Sequence, residues 1–199
     1  MSPAASPLVQ VGSIDRDRVA NLLAHAFVDD PAMAFIFPDP EVRARKLPRL
    51  FRLLFDTDAA HGVRLMTTGG EAATLWRGPG YASTGYGEMV RSALPMIGAF
   101  GTALGRALAV SASISAHLPL GSYWYLHIAG CDPAYQGRGF GGAAIKGGLD
   151  RLATGRLPAY LETATESNVG LYQRYGFTVT ADWLVSGGGP RFWSMWRPA

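Results

Sequence analysis

The stretch Cys131-Asp132-Pro133-Ala134-Tyr135-Gln136-Gly137-Arg138-Gly139-Phe140-Gly141-Gly142 decides how this chain is read. A strand-like run of aromatic and aliphatic residues, Tyr123 to Cys131, leads into it, and a helix-like run, Gly139 to Leu152, leads out. Its glycines let the backbone approach a ligand closely and turn successive N–H groups toward it. The start of a helix adds unbonded donors and a positive dipole end, which suits a phosphate, and Arg138 adds a fixed charge at the rim. The bland alternative is a glycine-rich turn with no ligand. Gly137-x-Gly139-x-x-Gly142 also fits the dinucleotide fingerprint, with Glu162 twenty residues on. Against that reading, the fingerprint should begin directly at the strand end, whereas Pro133 and its neighbours intervene, and the site comes late in the chain.

Downstream, Ala159 to Thr163 reads as a strand and Val169 to Arg174 as a helix. Phe177 to Asp182 and Phe192 to Trp196 read as two final strands. Upstream, Leu8 to Val11 reads as a strand, followed by a helix marked by Val19, Leu22, Leu23, Ala26 and Phe27 and ended by Pro31. A second helix is marked by Leu47, Leu50, Phe51, Leu54 and Phe55 and closed near Gly62. Val63 to Thr67 and Ala72 to Trp76 form a strand pair around Gly69-Gly70. Tyr81 to His117 is helix-like and glycine-dotted, with Met89, Leu94, Met96, Ile97, Leu104 and Leu108 expected inside. The mixture is α/β in one domain, residues 1–199, with 1–7 expected to be a flexible tail.

Composition narrows the function classes. The chain has 199 residues, 48% of them hydrophobic and 17% charged, so it is expected to be globular rather than disordered. A net charge of +3 without any Lys/Arg stripe gives no nucleic-acid signature. The single cysteine, Cys131, excludes an intrachain disulfide and any multi-cysteine metal site, and no metal is expected. The run Ala107 to Cys131 carries no acid, Lys or Arg, but His117, Pro119 and Gly121 would interrupt a spanning helix. The start of the chain has neither a basic n-region nor an apolar h-region, so a cytoplasmic protein without membrane partners is expected.

Gln136-Gly137-Arg138-Gly139-Phe140-Gly141 resembles the Gln/Arg-x-x-Gly-x-Gly/Ala motif of the GCN5-related N-acetyltransferases (GNAT), whose loop cradles the pyrophosphate of acetyl-coenzyme A. Asn168 with Leu171-Tyr172-Gln173-Arg174-Tyr175-Gly176-Phe177 resembles the second mark of that family, in the right order and at the right distance. Over roughly 123–197 the likeness narrows to the puromycin N-acetyltransferases, carried by Trp124-Tyr125-Leu126, Leu161-Glu162-Thr163 and Gly189-Pro190-Arg191. It fades upstream and is absent from about 80 to 120.

The resemblance implies a mixed, mostly antiparallel sheet flanked by helices and splayed after its fourth strand, the one ending at Cys131. It implies acetyl transfer from acetyl-coenzyme A to a primary amine of a small molecule by direct attack. Acetylation of a protein or peptide amine is the runner-up, and a non-catalytic acyl-coenzyme A sensor is the reading from another class. Coenzyme contacts fall on Ile128, Ala129, Gly130 and Cys131 at the strand end and on Gln136, Gly137, Arg138, Gly139, Phe140, Gly141 and Gly142 in the loop. Asn168, Tyr172 and Tyr175 complete that set, with Asn168 either bonding the coenzyme or capping the next helix. Tyr172 is the implied acid for the departing thiolate. The base is open between Glu162 and His127: a carboxylate in an apolar strand must be paired or functional, and imidazole suits proton transfer near neutrality. The structural alternative for Glu162 is a salt bridge to an arginine. Serotonin N-acetyltransferase, another family member, carries a histidine at the place of His127, whereas the puromycin-like sequences do not. Cys131 reads as a packing residue rather than a nucleophile. Asp29, Asp30, Phe35, Phe37, Tyr86, Trp124 and Tyr125 are candidates to line the acceptor pocket, and a monomer or homodimer is expected.

Overall fold

The computed structural model describes residues 7–83 and 97–199. Seven strands form one sheet: β1 (Leu8–Gln10), β2 (Gly62–Thr67), β3 (Ala72–Arg77), β4 (Trp124–Cys131), β5 (Ala159–Thr163), β6 (Thr178–Leu184) and β7 (Arg191–Arg197). Their spatial order is β1-β2-β3-β4-β5-β7-β6, and every neighbouring pair is antiparallel except β4 with β5. The α-helices are α1 (Arg16–Ala26), α2 (Pro31–Ile36), α3 (Pro40–Asp58), α4 (Leu104–His117), α5 (Phe140–Leu152) and α6 (Val169–Gln173). The fold class holds, and so, closely, do the expected boundaries of the strands from β2 onward and of α5 and α6; the helix-like run expected from Tyr81 is helical only from Ile97 to His117 among the described residues.

Both faces of the sheet's inner strands are covered, as on β3, which is buried along its whole length. On β2, Leu65 enters one core and Met66 the other; on β3, Trp76 and Leu75 divide in the same way. Helices α1, α2, α3 and α4 cover one face through Leu23, Ile36, Phe51 and Val110. Helix α5 covers the other through Ile145, packed with Leu126, Leu161 and Met195. Gly148 makes that second contact possible, since a Cβ there would lie 2.6 Å from the Trp76 indole nitrogen.

Pro31 does not end the first helix. It opens α2, with Asp30 as N-cap accepting from the backbone N–H groups of Ala32 and Met33 at 2.9 and 3.1 Å. The third helix is also longer than its apolar marks suggested, because Asp39 caps its start and Pro40 occupies the first turn.

The helical run Ile97–His117 is 21 residues long and apolar enough to cross a membrane by length and composition, with a mean hydropathy of 1.4 in its best window and 28% of that window buried. It packs through a stripe of mostly small residues, Ala99, Phe100, Ala103, Ala107 and Val110. Ile97 and Leu108, expected inside, are 53% and 50% exposed, because the alanines allow close approach only on the opposite side of the helix. Met89, Leu94 and Met96 lie outside the described residues.

The feature that creates the site is in β4. Opposite β3, Leu75 pairs with Ile128 and Trp76 with Leu126, so β4 carries one extra residue at His127. Such a bulge bends its strand. On the other side, β4 pairs with β5 only at Trp124↔Ala159 and Tyr125↔Tyr160. Beyond Tyr125 the two strands part, and the V-shaped opening runs between Cys131 and Thr163.

Candidate active site

Two cavities meet in that opening. One, of about 580 Å³, lies over the loop quoted above. Gly137 and Gly139 have φ of +73° and +87°, the left-handed region that favours glycine. Gly139 is the N-cap of α5 and has no side chain to close the helix start. The turn is braced by its own side chains: Asp132 accepts from the Ala134 N–H at 2.9 Å, and the Gln136 side-chain amide donates to the Cys131 carbonyl at 3.3 Å. What remains is a 13-residue helix whose N-cap has no side chain and open space at its Cβ position, a fit for a pyrophosphate.

Of the expected coenzyme residues, Ala129, Gly130, Cys131, Gln136, Gly137, Gly139, Phe140, Gly141 and Gly142 line this cleft, together with Asn168 and Tyr172. Three expected residues fall elsewhere. Ile128 faces the second cavity. The exposed Arg138 guanidinium lies 5.5 Å from the ring centres of both Tyr135 and Phe140, outside the cleft wall. Tyr175 packs on α5, where a Cβ on Gly142 would meet its hydroxyl at 2.3 Å. The cation that does line the cleft is Arg174. Asn168 makes no side-chain cap to α6, so its side chain is not spent on the helix. Burial pushes the Cys131 thiol pKa up, and the residue packs beside Ala72, Phe140 and Ala144, in keeping with a packing role.

The second cavity, of about 290 Å³, sits between the free edge of β4 and helices α2, α3 and α4. Five consecutive residues, Tyr125 to Ala129, line it, because the edge of the bent strand forms the wall rather than one face. Leu50, Leu54, Val110, Ile114 and Phe192 make the opposite walls apolar. The Tyr125 hydroxyl donates a short hydrogen bond to Glu162 Oε1, while Glu162 Oε2 is shielded from solvent and has no partner among the described residues. Burial raises the Glu162 carboxyl from 4.5 to about 7, with Tyr125 and Arg77 opposing. The arginine salt bridge considered for Glu162 is not made; the Arg77 guanidinium is bonded to Asp58 at 2.7 Å. Asp58 also faces His127 Nδ1 at 2.7 Å.

Tyr172 lines both cavities and is buried. Desolvation, then the nearby Glu162 and Asp30, push its phenol far above 10, so it keeps its proton. Asp30 also borders both cavities, but its carboxylate is engaged as the α2 cap and accepts from Thr165 Oγ1 at 3.4 Å. Asp29 borders the coenzyme-side cleft alone. Phe35, Phe37 and Trp124 are packing residues away from both walls: Phe35 lies near Gly189, Phe37 stacks on Phe100 at 5.8 Å, and Trp124 packs near Gly78. Tyr86 lies outside the described residues.

The profile of the acetyltransferase (GNAT) family matches residues 101–177. Among solved structures, the chain superposes on a histone acetyltransferase HPA2 and related acetyltransferase from Corynebacterium glutamicum with a TM-score of 0.73 and 25% identity, covering 100% of this chain and 98% of that one. The chain has the GNAT acetyltransferase fold. Arylalkylamine N-acetyltransferase 2 from Aedes aegypti shares this fold at 15% identity and a TM-score of 0.60, covering 96% and 98% of the two chains. A Drosophila melanogaster polyamine N-acetyltransferase does so at 17% and 0.56, covering 97% and 99%. The GNAT fold binds acetyl-coenzyme A, and the glycine-rich loop falls within the matched residues 101–177.

Sequence reasoning missed Asp58, Arg77 and Arg174. The first two were legible only as oddities: an acid closing an apolar helix, and an arginine ending an apolar strand.

Proposed function

We propose that the protein transfers the acetyl group of acetyl-coenzyme A to the primary amine of a small molecule with an apolar body. One observation carries this reading. The glycine-lined cleft and an apolar cavity holding an unpartnered carboxylate oxygen meet at a single protonated tyrosine. Glu162 Oε2 is placed to bind the acceptor ammonium and take a proton from it, and a carboxyl titrating at about 7 suits that exchange. The nitrogen lone pair then attacks the thioester carbon, and Tyr172 protonates the departing sulfur. Apolar walls and a bounded volume favour a small hydrophobic amine over a protein segment.

The test is thiol release from acetyl-coenzyme A with phenylethylamine, agmatine, puromycin and a short peptide, each against a blank without amine. Puromycin belongs on the panel because the C-terminal third resembles the puromycin N-acetyltransferases. Release is expected with phenylethylamine or puromycin, and Tyr172→Phe should lower kcat about 10²-fold while coenzyme binding persists. Coenzyme binding without release for any amine would instead support an acyl-coenzyme A sensor.

A further inference from the structure

One buried acid at this site is left unused by the chemistry above. Asp58 is the last residue of α3, where the negative end of the helix dipole disfavours a carboxylate, and it is fully buried. It is held by two partners. Arg77 Nε donates to Oδ1 at 2.7 Å, and His127 Nδ1 lies 2.7 Å from Oδ2. Burial alone would raise the Asp58 carboxyl; His127 and Arg77 together hold it below the usual range. An ionised carboxylate can only accept, so Nδ1 of His127 carries a proton, and the tautomer this selects for a neutral ring has its lone pair on Nε2. His127 occupies the bulge of β4 and is among the residues lining the acceptor cavity, its side chain 17% exposed.

The proton count of the reaction shows why such a group is needed. An acceptor enters as an ammonium with three N–H protons and leaves as an amide with one. Glu162 offers one open oxygen, since Tyr125 holds the other. We infer that His127, held by Asp58 with its Nε2 lone pair open to the cavity, takes the second proton, and that Asp58 is the positioning residue that fixes it. This rests on the acetyl-transfer reading above.

Glu162 takes the first proton from the ammonium, and the freed lone pair forms the N–C bond. The nitrogen of the tetrahedral adduct, now cationic, loses its second proton to His127. The C–S bond breaks, sulfur leaves with the electron pair, and Tyr172 protonates it. Two protons are gained by the enzyme and one is given, so each turnover releases one proton to solvent. The charged and titratable groups around His127 are Asp58 from α3, Arg77 from β3, Tyr125 from β4 at a ring-centre distance of 5.4 Å, and Glu162 from β5. Tyr172 and Asp30 border the same cavity.

Asp58→Asn preserves shape and reverses the ring. Arg77 can only donate, so the new amide oxygen faces it and the NH2 group faces Nδ1, which must then accept. The ring proton moves to Nε2 and the lone pair is withdrawn from the cavity. Histidine 15N spectra of the whole protein, assigned with His127→Gln, should show Nδ1–H in the wild type and Nε2–H in Asp58→Asn. With phenylethylamine and acetyl-coenzyme A, both variants should lose about 10²-fold in kcat with the coenzyme KM unchanged. An Nε2–H ring in the wild type overturns the proposal, as does kcat within about twofold of wild type in His127→Gln. Should Asp58→Asn not fold, the wild-type spectrum and the His127→Gln kinetics still decide. A wild type that turns over no amine on the panel overturns acetyl transfer itself, a result distinct from retained activity in His127→Gln.

Discussion

The two sides of the splayed sheet are built by different means. The coenzyme side comes largely from one stretch, Cys131 to Gly142, joined by the short helix that carries Tyr172. Its chemistry is mainly backbone amides, so its requirements fall on glycines and on the start of a helix. The acceptor side has no such stretch. Its walls come from α2, α3, α4, β3, β4, β5 and β7, and its charged groups meet across 19 to 69 positions of chain: Arg77 with Asp58, Tyr125 with Glu162, His127 with Asp58. A constant ligand part can be met by local backbone, whereas a varied one needs side chains that only the assembled fold brings together.

Glu162→Gln strikes the acceptor side hardest and separates the two sides most sharply. It should lower kcat by about 10²- to 10⁴-fold while coenzyme affinity stays within about twofold. The wild-type rate should rise with pH through about 7, where Glu162 ionises, and that limb should flatten in the variant. Stability should respond in the opposite sense. The folded protein holds a proton on Glu162 that the unfolded chain releases from about 4.5 upward. The contribution is full below that value and is lost as pH rises through about 7. A plot of Tm against pH should therefore lose this decline in Glu162→Gln.

A smaller effect tests the coenzyme side. Gly139 has φ of +87°, and a Cβ there meets nothing within 4 Å, so Gly139→Ala acts through backbone strain alone. A left-handed alanine costs about 1–2 kcal/mol, which predicts a rise of about tenfold in the acetyl-coenzyme A KM with the amine KM unchanged. If the amine KM moves instead, the division between the sides is wrong. The smallest effect is expected at Cys131, whose thiol burial keeps protonated. Cys131→Ala should keep kcat within about twofold, and a large loss would point to a covalent acyl-enzyme.

The loop, its flanking strand and helix, and the Tyr172 segment were readable because each is a local pattern: glycines demanded by positive φ, apolar residues repeating at 2.0 or 3.6 positions. Glu162 and His127 stood out as polar residues in apolar strands. Arg138 and Tyr175 stand off the cleft lining for a common reason. Both sit inside the motif, yet each finds a better partner than the cleft, Arg138 on two aromatic rings and Tyr175 against Gly142. Phe35, Phe37 and Trp124 pack away from the cavity lining, and the sequence could not show this because a core aromatic and a pocket aromatic look the same in it.

By itself the sequence determined a mixed α/β chain, a glycine-rich loop between a strand and a helix, and the polar residues Glu162, His127 and Tyr172 that the proposal uses. It could do so because glycine geometry, helix periodicity and the cost of burying a charge act on neighbours or on single residues. The tertiary structure alone decided that β4 bulges at His127, that β4 and β5 part after Tyr125, and that Asp58 reaches from the end of α3 to fix a histidine ring. Those depend on strand register and on contacts between distant segments, which packing of the whole sheet and its helices sets and no local pattern encodes.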